Sequence, residues 1–382
     1  MFKSYQNTKN TNSTLQKTGD VSLIISRLLL GGVFVFSGFV KAIDPLGFSY
    51  KIEEYLQHFG GLFESLTVLA FPVAVILSSF ELLIGLNFIF KVQLKLNSLL
   101  AMLFMLVMLP LTLYIALKNP VPDCGCFGDA LIISNWATFY KNLVLMTFVM
   151  LVLIFNKRIH PLFLPRMQWV AVSTFFVIGV GLSVYSYRHL PLIDFLPYKV
   201  GVNIPDAMVI PENAPTAKFQ TNFIYEKNGL QKEFTLENYP KGDSTWKFVD
   251  QKTVTISKGY QPPIHDFSIV TEEYGDITEE VLRYSTDYTY LLTMYDLAKT
   301  SEEGAQKAEV IYQKALKSGT KFYALTASSD ADIQSFKQKT GVTYPFCKTD
   351  PTTLKTIIRA NPGLVMIKKG TIIAKWNWRD FI

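Results

Sequence analysis

The stretch Val21-Ser-Leu-Ile-Ile-Ser-Arg27-Leu-Leu-Leu-Gly31-Gly32-Val-Phe-Val-Phe-Ser37-Gly38-Phe-Val-Lys41-Ala-Ile43 decides the architecture of this chain. A bilayer's hydrocarbon core is about 30 Å thick and takes roughly 20 mostly apolar residues of helix to cross. This run meets that length. It is longer than the apolar region of a signal peptide, and no small-residue cleavage site follows it, so it reads as an uncleaved anchor. Four further runs have the same character, from about Leu66 to Phe90, Leu96 to Leu117, Trp136 to Phe155 and Gln168 to Tyr187. Past about residue 190 charge returns to ordinary density. The expected fold class is a membrane α-helical bundle, four helices plus a fifth span, followed by an α/β domain reached through a β-rich connector.

The composition of the 382-residue chain agrees: 49% of residues are hydrophobic and 18% charged, against about a quarter charged in soluble domains. The net charge of +6 sits largely beside the apolar runs, not on a separate basic face, so no nucleic-acid partner is expected. The expected partners are the lipid bilayer and a periplasmic or membrane protein client.

Lysine and arginine in short loops set orientation. Lys3, Lys9 and Lys17 precede the first run, Lys91 and Lys95 separate the second from the third, and Lys157, Arg158 and Arg166 separate the fourth from the fifth. If all five runs cross, these segments share one side, the cytoplasmic one. The other loops carry Lys41, Lys51 and Lys118 against Asp44, Glu53, Glu54, Glu64, Asp123 and Asp129. Residues 191–382 and the 119–129 loop then lie together on the outer face. In a bacterial inner membrane that face is the oxidising periplasm.

Charge inside a span is costly, at least ~2.5 kcal/mol on insertion scales, and usually pairs within the bundle. Arg27 and Glu81 have opposite charge and compatible expected depths. They read as an intramembrane pair, either packing the first two helices or forming a polar site for a proton or a quinone headgroup. No other cofactor is indicated. Asn87, Asn97 and Asn142 add amides near span ends, and Gly31, Gly32 and Gly38 permit close helix approach.

The loop Asn119-Pro-Val-Pro122-Asp123-Cys124-Gly125-Cys126-Phe-Gly128-Asp129 holds two of the three cysteines. Cysteines at i and i+2 close a small, strained ring, and strained, exposed disulfides tend to be the oxidising, labile ones. Cys124 and Cys126 are therefore candidate catalytic residues for thiol–disulfide exchange or electron relay. Lys118 is the nearest cation in sequence that would favour a thiolate, while Asp123 and Asp129 would oppose it. A structural clip and a soft-metal site remain as alternatives; the loop offers no histidine or third cysteine for a metal.

Arg27-Leu-Leu-Leu-Gly31 through Lys41-Ala-Ile-Asp44-Pro45, with Glu81-Leu-Leu-Ile-Gly85, resembles DoxX-type membrane proteins. Cys124-Gly-Cys126-Phe-Gly128 resembles the MauE branch of that family. The resemblance covers about residues 20–156. It implies a four-helix membrane domain linked to disulfide or electron-transfer processes; the methylamine role of MauE itself does not carry over.

The domains expected are a cytoplasmic tail (1–20), a DoxX/MauE-like bundle (21–160), a fifth transmembrane helix (161–190), a β-rich connector (191–285) and a C-terminal domain (286–382). Phe219–Tyr225, Lys232–Leu236 and Thr253–Ser257 read as strands, with turns at Asn228-Gly229 and Pro240-Lys-Gly242. Tyr290–Leu297, Lys321–Thr326, Leu364–Ile367 and Thr371–Lys375 read as strands and Glu302–Leu316, Asp330–Thr340 and Thr352–Ile358 as helices, with Ser301 an N-cap. That order resembles thioredoxin, with Asn361-Pro362 where the fold carries its cis-proline, and makes these two residues partner-binding candidates. The matching active-site segment, Ala298-Lys-Thr-Ser-Glu-Glu-Gly304, has no cysteine, so this domain is expected to bind and not to exchange thiols. Cys347 reads as packing; His189 and His265 read as surface polar residues.

Three functions follow: a membrane redox component working through Cys124 and Cys126, a non-enzymatic scaffold anchoring a binding domain in an envelope complex, or a small-molecule or proton carrier using Arg27 and Glu81, for which the inverted repeats common in transporters are lacking.

Overall fold

The computed structural model describes residues 2–382 except 122, 217, 228, 236–237, 239, 242–244, 258 and 285–286. Its N-terminal half is helical: α1 (Phe2–Ile43), α2 (Pro45–Phe59), α3 (Ala70–Phe90), α4 (Leu94–Lys118), α5 (Asn135–Phe155) and α6 (Pro165–Arg188). Five segments among the described residues are long and apolar enough to cross a membrane: Gly19–Ile43, Gly61–Phe90, Leu94–Lys118, Asn135–Arg158 and Pro165–Arg188. Each coincides with an expected span. The additional helix is α2. Its charged residues Lys51, Glu53 and Glu54 hide it from a search for apolar runs, but its start is encoded. Asp44 accepts a hydrogen bond from the Gly47 amide at 2.9 Å and Pro45 follows the cap, the usual chemistry of a helix N-terminus.

The first two spanning helices approach closely because they meet at glycines. A Cβ on Gly38 would lie 2.3 Å from the Leu82 amide nitrogen, and one on Gly85 2.4 Å from that of Val35. Gly31 faces Ile89 in the same way, whereas Gly32 has open space around it and makes no such contact. Leu30, Phe34, Ile84, Phe88, Met105 and Val149 form the apolar centre of the bundle.

The C-terminal half contains two sheets. β1 (Lys218–Lys227), β2 (Leu230–Thr235) and β3 (Lys247–Ser257) form an antiparallel sheet in the order β2-β1-β3. Asn228 and Gly242 of the expected turns, and Leu236, lie outside the described residues. So do the expected domain boundary at 285–286 and Pro122 of the cysteine loop. The larger sheet is preceded by the one-turn helix α7 (Ile204–Ala207). It comprises β4 (Val270–Thr271), β5 (Gly275–Asp276), β6 (Tyr288–Met294), β7 (Lys321–Thr326), β8 (Phe346–Lys348), β9 (Gly363–Lys368) and β10 (Thr371–Asn377). Their order is β10-β9-β6-β7-β8-β4-β5. β6, β7 and β8 run parallel, and β9 and β10 antiparallel to their neighbours. Helices α8 (Glu302–Ser318) and α9 (Asp330–Thr340) link the parallel strands, and α10 (Pro351–Ile357) leads into β9.

Ser301 caps α8 through the Gly304 amide, as its sequence position suggested. The expected strand from Tyr290 ends at Met294, because Asp296 opens a 3₁₀ turn by accepting from the Ala298 amide. One face of the sheet buries Ile264, Phe267, Ile269, Leu291, Leu325 and Ile367 together. That core therefore draws on residues both before and after 285.

Candidate functional site

The two halves of the chain meet where the 119–134 loop covers the end of the bundle. Several side chains hold this loop in place. Tyr55 of α2 donates to the Cys124 carbonyl at 3.1 Å, and Lys51 reaches Asp123 Oδ2 at 3.2 Å. Asn135 donates to the Val121 carbonyl at 3.1 Å, and Ser37 to the Cys126 carbonyl at 2.7 Å. Gly125 and Gly128 take φ of +69° and +51°, a left-handed backbone that favours glycine.

Cys124 and Cys126 are free thiols with their sulfurs 3.1 Å apart. They are not the exposed pair the sequence suggested: they are 9% and 7% exposed. The loop folds back over α4, so the thiols pack with Ile115 and Val121 and against Tyr55, Met108 and Leu111. The cations that act on them are Lys141 and Lys41, not Lys118. The Cys124–Cys126 hydrogen bond, followed by Lys141 and Lys41, holds the Cys126 thiol below its ordinary range. The same hydrogen bond, with burial, pushes Cys124 up. Either sulfur is placed to donate to the other.

Arg27 and Glu81 are not partners. The glycine contacts fix an antiparallel register in which Gly38 faces Leu82 and Gly31 faces Ile89. Glu81 therefore lies level with the last turns of α1, roughly three turns from Arg27 along the axis. Arg27 instead donates to the Phe88 and Ile89 carbonyls, where a cation meets the negative end of α3. Glu81 takes Lys41, whose Nζ lies 2.7 and 2.8 Å from its two oxygens. Lys41 is 4% exposed and Glu81 2%. In the sequence Lys41 stands among the loop charges that follow the first span. Its i,i+4 spacing from Ser37 on the last turn of the span was the available signal.

Ser37 joins this pair to the cysteines. Its hydroxyl lies 2.6 Å from Glu81 Oε2 and 2.7 Å from the Cys126 carbonyl, and its single proton serves one acceptor at a time. A small cavity of about 30 Å³ lies among Ser37, Lys41, Glu81, Cys126, Lys141 and Asn142. That is of the order of one water and too small for a quinone ring.

The C-terminal domain reaches the same loop through Arg359, just after α10. Its Nε lies 2.9 Å from Asp44 Oδ2 and its Nη2 3.0 Å from Asp129 Oδ2, while Nη1 donates to the Lys355 carbonyl at 2.6 Å. Lys375 bonds Asp194 at 2.6 Å and His189 bonds Asp380 at 2.7 Å, tying the sheet to the end of α6. Between the halves lies a cleft of about 360 Å³, with Lys51, Asp123 and Gly125 on the loop side and Lys355, Thr356 and Arg359 on the other.

The Asn361–Pro362 peptide bond is cis. Asn361 is spent within the domain: it donates to the Asp296 carbonyl at 2.9 Å and accepts from Thr300 at 2.9 Å. Pro362 is buried against Gly304. Cys347 lies in β8, 2% exposed, and burial pushes its thiol up to about 11. Among the described residues no three histidine, cysteine or carboxylate side chains group as metal ligands.

Residues 19–155 match the family model for methylamine utilisation protein MauE, and residues 219–258 match that for a domain of unknown function (DUF8463). No curated protein and no solved structure matches the chain. The five apolar helices and the MauE match together mark a membrane protein, similar over residues 19–155 to a family associated with membrane redox processes.

Proposed function

We propose that the chain is a thiol–disulfide exchange component of a bacterial inner membrane, with Cys124 and Cys126 as its redox pair. The observation that carries this reading is the close approach of two free thiols beside the buried Lys41 and the half-buried Lys141, in a loop that the C-terminal domain also grips. The lysine and arginine distribution supports a cytoplasmic N-terminus and a periplasmic C-terminal domain. The strand order and the absence of a cysteine between Ala298 and Gly304 support a thioredoxin-like domain without its own dithiol. Such a domain holds a protein client and leaves the exchange to the loop.

The exchange balances as follows. In the disulfide form, a client thiolate attacks the Cys124 sulfur; the Cys124–Cys126 bond breaks and Cys126 leaves as a thiolate. The client's second thiol, losing its proton to solvent, attacks the client sulfur of the mixed disulfide. Cys124 is released and takes up a proton. Two electrons have moved from the client to the pair, and the same exchange run against the disulfide of a second protein returns the pair to its oxidised form.

Thiol trapping in native membranes tests this reading. Wild-type chain should give mixed disulfides and shift client redox states, and the double change Cys124→Ser, Cys126→Ser should abolish both. Unchanged client redox states would sink the reading. The burial of both sulfurs favours a second one, a scaffold whose cysteines only shape a loop; a partner complex that survives the double change with its redox state unaltered would support it.

A further inference from the structure

We infer that Lys141 is the residue that holds Cys126 as the leaving and attacking thiolate of the pair, the charge of Lys41 being offset by that of Glu81. The inference rests on the exchange reading above and assigns its two sulfurs unequal parts.

Lys141 lies two turns inside α5, within the spanning segment Asn135–Arg158. A cation there is expensive and normally finds a carboxylate. Among the described residues no carboxylate pairs with it. Its Nζ lies instead 4.4 Å from the ring centroid of Phe127, the residue after Cys126. Lys141 and Cys126 also line the same small cavity. The other cation of that cavity, Lys41, is already neutralised: both oxygens of Glu81 lie within 2.8 Å of its Nζ. The groups facing Cys126 are thus Cys124 in its own loop, Lys41 on α1, Tyr55 on α2, Glu81 on α3 and Lys141 on α5. Summed over these, one positive charge is left without a counter-charge, and a thiolate supplies it.

The asymmetry has a chemical consequence. The sulfur that is the better-stabilised thiolate is the better leaving group in exchange. A client thiolate therefore attacks Cys124 and expels Cys126. Stabilising the reduced pair also makes its disulfide a stronger oxidant. The pair is an acceptor of electrons from client dithiols.

The test uses full-length protein in which Cys124→Ser keeps a hydroxyl donor beside Cys126. Thiolate ultraviolet absorbance is titrated against pH, with the chain that also carries Cys126→Ser as the blank. Cys126 should titrate below the usual thiol value of about 8.5. Lys141→Met should move the midpoint up by at least about one pH unit, and Lys141→Arg should restore most of it. Neutralising the other pair together, Lys41→Met with Glu81→Gln in the same background, should move it less. If Lys141→Met does not accumulate, Lys141→Gln is read in its place. An unshifted midpoint in the neutral variant, or a lower midpoint for Cys124 in the reciprocal Cys126→Ser chain, would overturn the assignment. This readout needs no client, so its failure is separable from that of the exchange reading. A depressed, Lys141-dependent Cys126 with unchanged client redox states would retain the assignment and discard the relay.

Discussion

Arg359 of the C-terminal domain bonds Asp129 at 3.0 Å, three residues beyond Cys126, while its Nε holds Asp44 at the start of α2. One guanidinium thus pins the cysteine loop and the amphipathic helix beside it. Its side chain is 8% exposed, and removing one partner of a buried charge-assisted bond typically costs about 2 kcal/mol. Arg359→Ala should lower stability by about that amount. It should also speed alkylation of Cys124 and Cys126 by a membrane-impermeant maleimide. Equal labelling rates in both chains would show that the clamp does not control the loop.

Glu81 and Lys41 should couple strongly, and Glu81 and Arg27 hardly at all. Glu81→Gln leaves the Lys41 ammonium buried without its counter-charge, a loss of about 3–5 kcal/mol for pairs of this kind. A double-mutant cycle on unfolding in detergent should give a large term for Lys41 with Glu81. For Arg27 with Glu81 the term should stay below about 0.5 kcal/mol. A large Arg27–Glu81 term would contradict the register described for α1 and α3.

Gly38 should tolerate no side chain. A Cβ there meets the Leu82 backbone at 2.3 Å, and backbone gives way less readily than a side-chain tip. Gly38→Ala should cost about 1–3 kcal/mol, typical of overpacking, whereas Gly32→Ala should be nearly neutral because its surroundings are open. Thermal unfolding of the two variants separates them.

Cys347 should behave as the opposite of Cys126. Burial raises its thiol from 9.0 to about 11, so it should resist iodoacetamide at pH 8 until the C-terminal domain unfolds. The sign of its pH effect follows. The folded thiol binds its proton more tightly than the unfolded one, so its contribution to stability is complete below about pH 9 and is lost as pH rises towards 11. Mass mapping of alkylated cysteines before and after denaturation checks the first point. A pH series of C-terminal-domain stability, compared with Cys347→Ala, checks the second.

Much of the architecture was legible because it rests on local or periodic properties. Hydropathy alone marks the five spans, since any segment that crosses hydrocarbon must be apolar for about 20 residues. The alternation of strands and helices from Tyr288 to Asn377, and the Ser301 cap, follow from patterns spanning a few residues. α2 was missed because its charges conceal it from a search built on apolarity.

What the tertiary structure alone decided is which distant groups meet. The sequence places Arg27, Lys41, Glu81 and Lys141 in or at the ends of spans, but their pairing depends on the register of α1 against α3, set by contacts at Gly31, Gly38 and Gly85. Sequence also gave the Cys124/Cys126 spacing but not its environment. Burial of that pair arises when the loop folds over Ile115 and Met108 of α4 and is tied down by Tyr55, Ser37 and, through Asp129, Arg359. Electrostatics acts through distance in space, and the distance from Cys126 to Lys141 is a property of packed helices, not of fifteen positions along a chain.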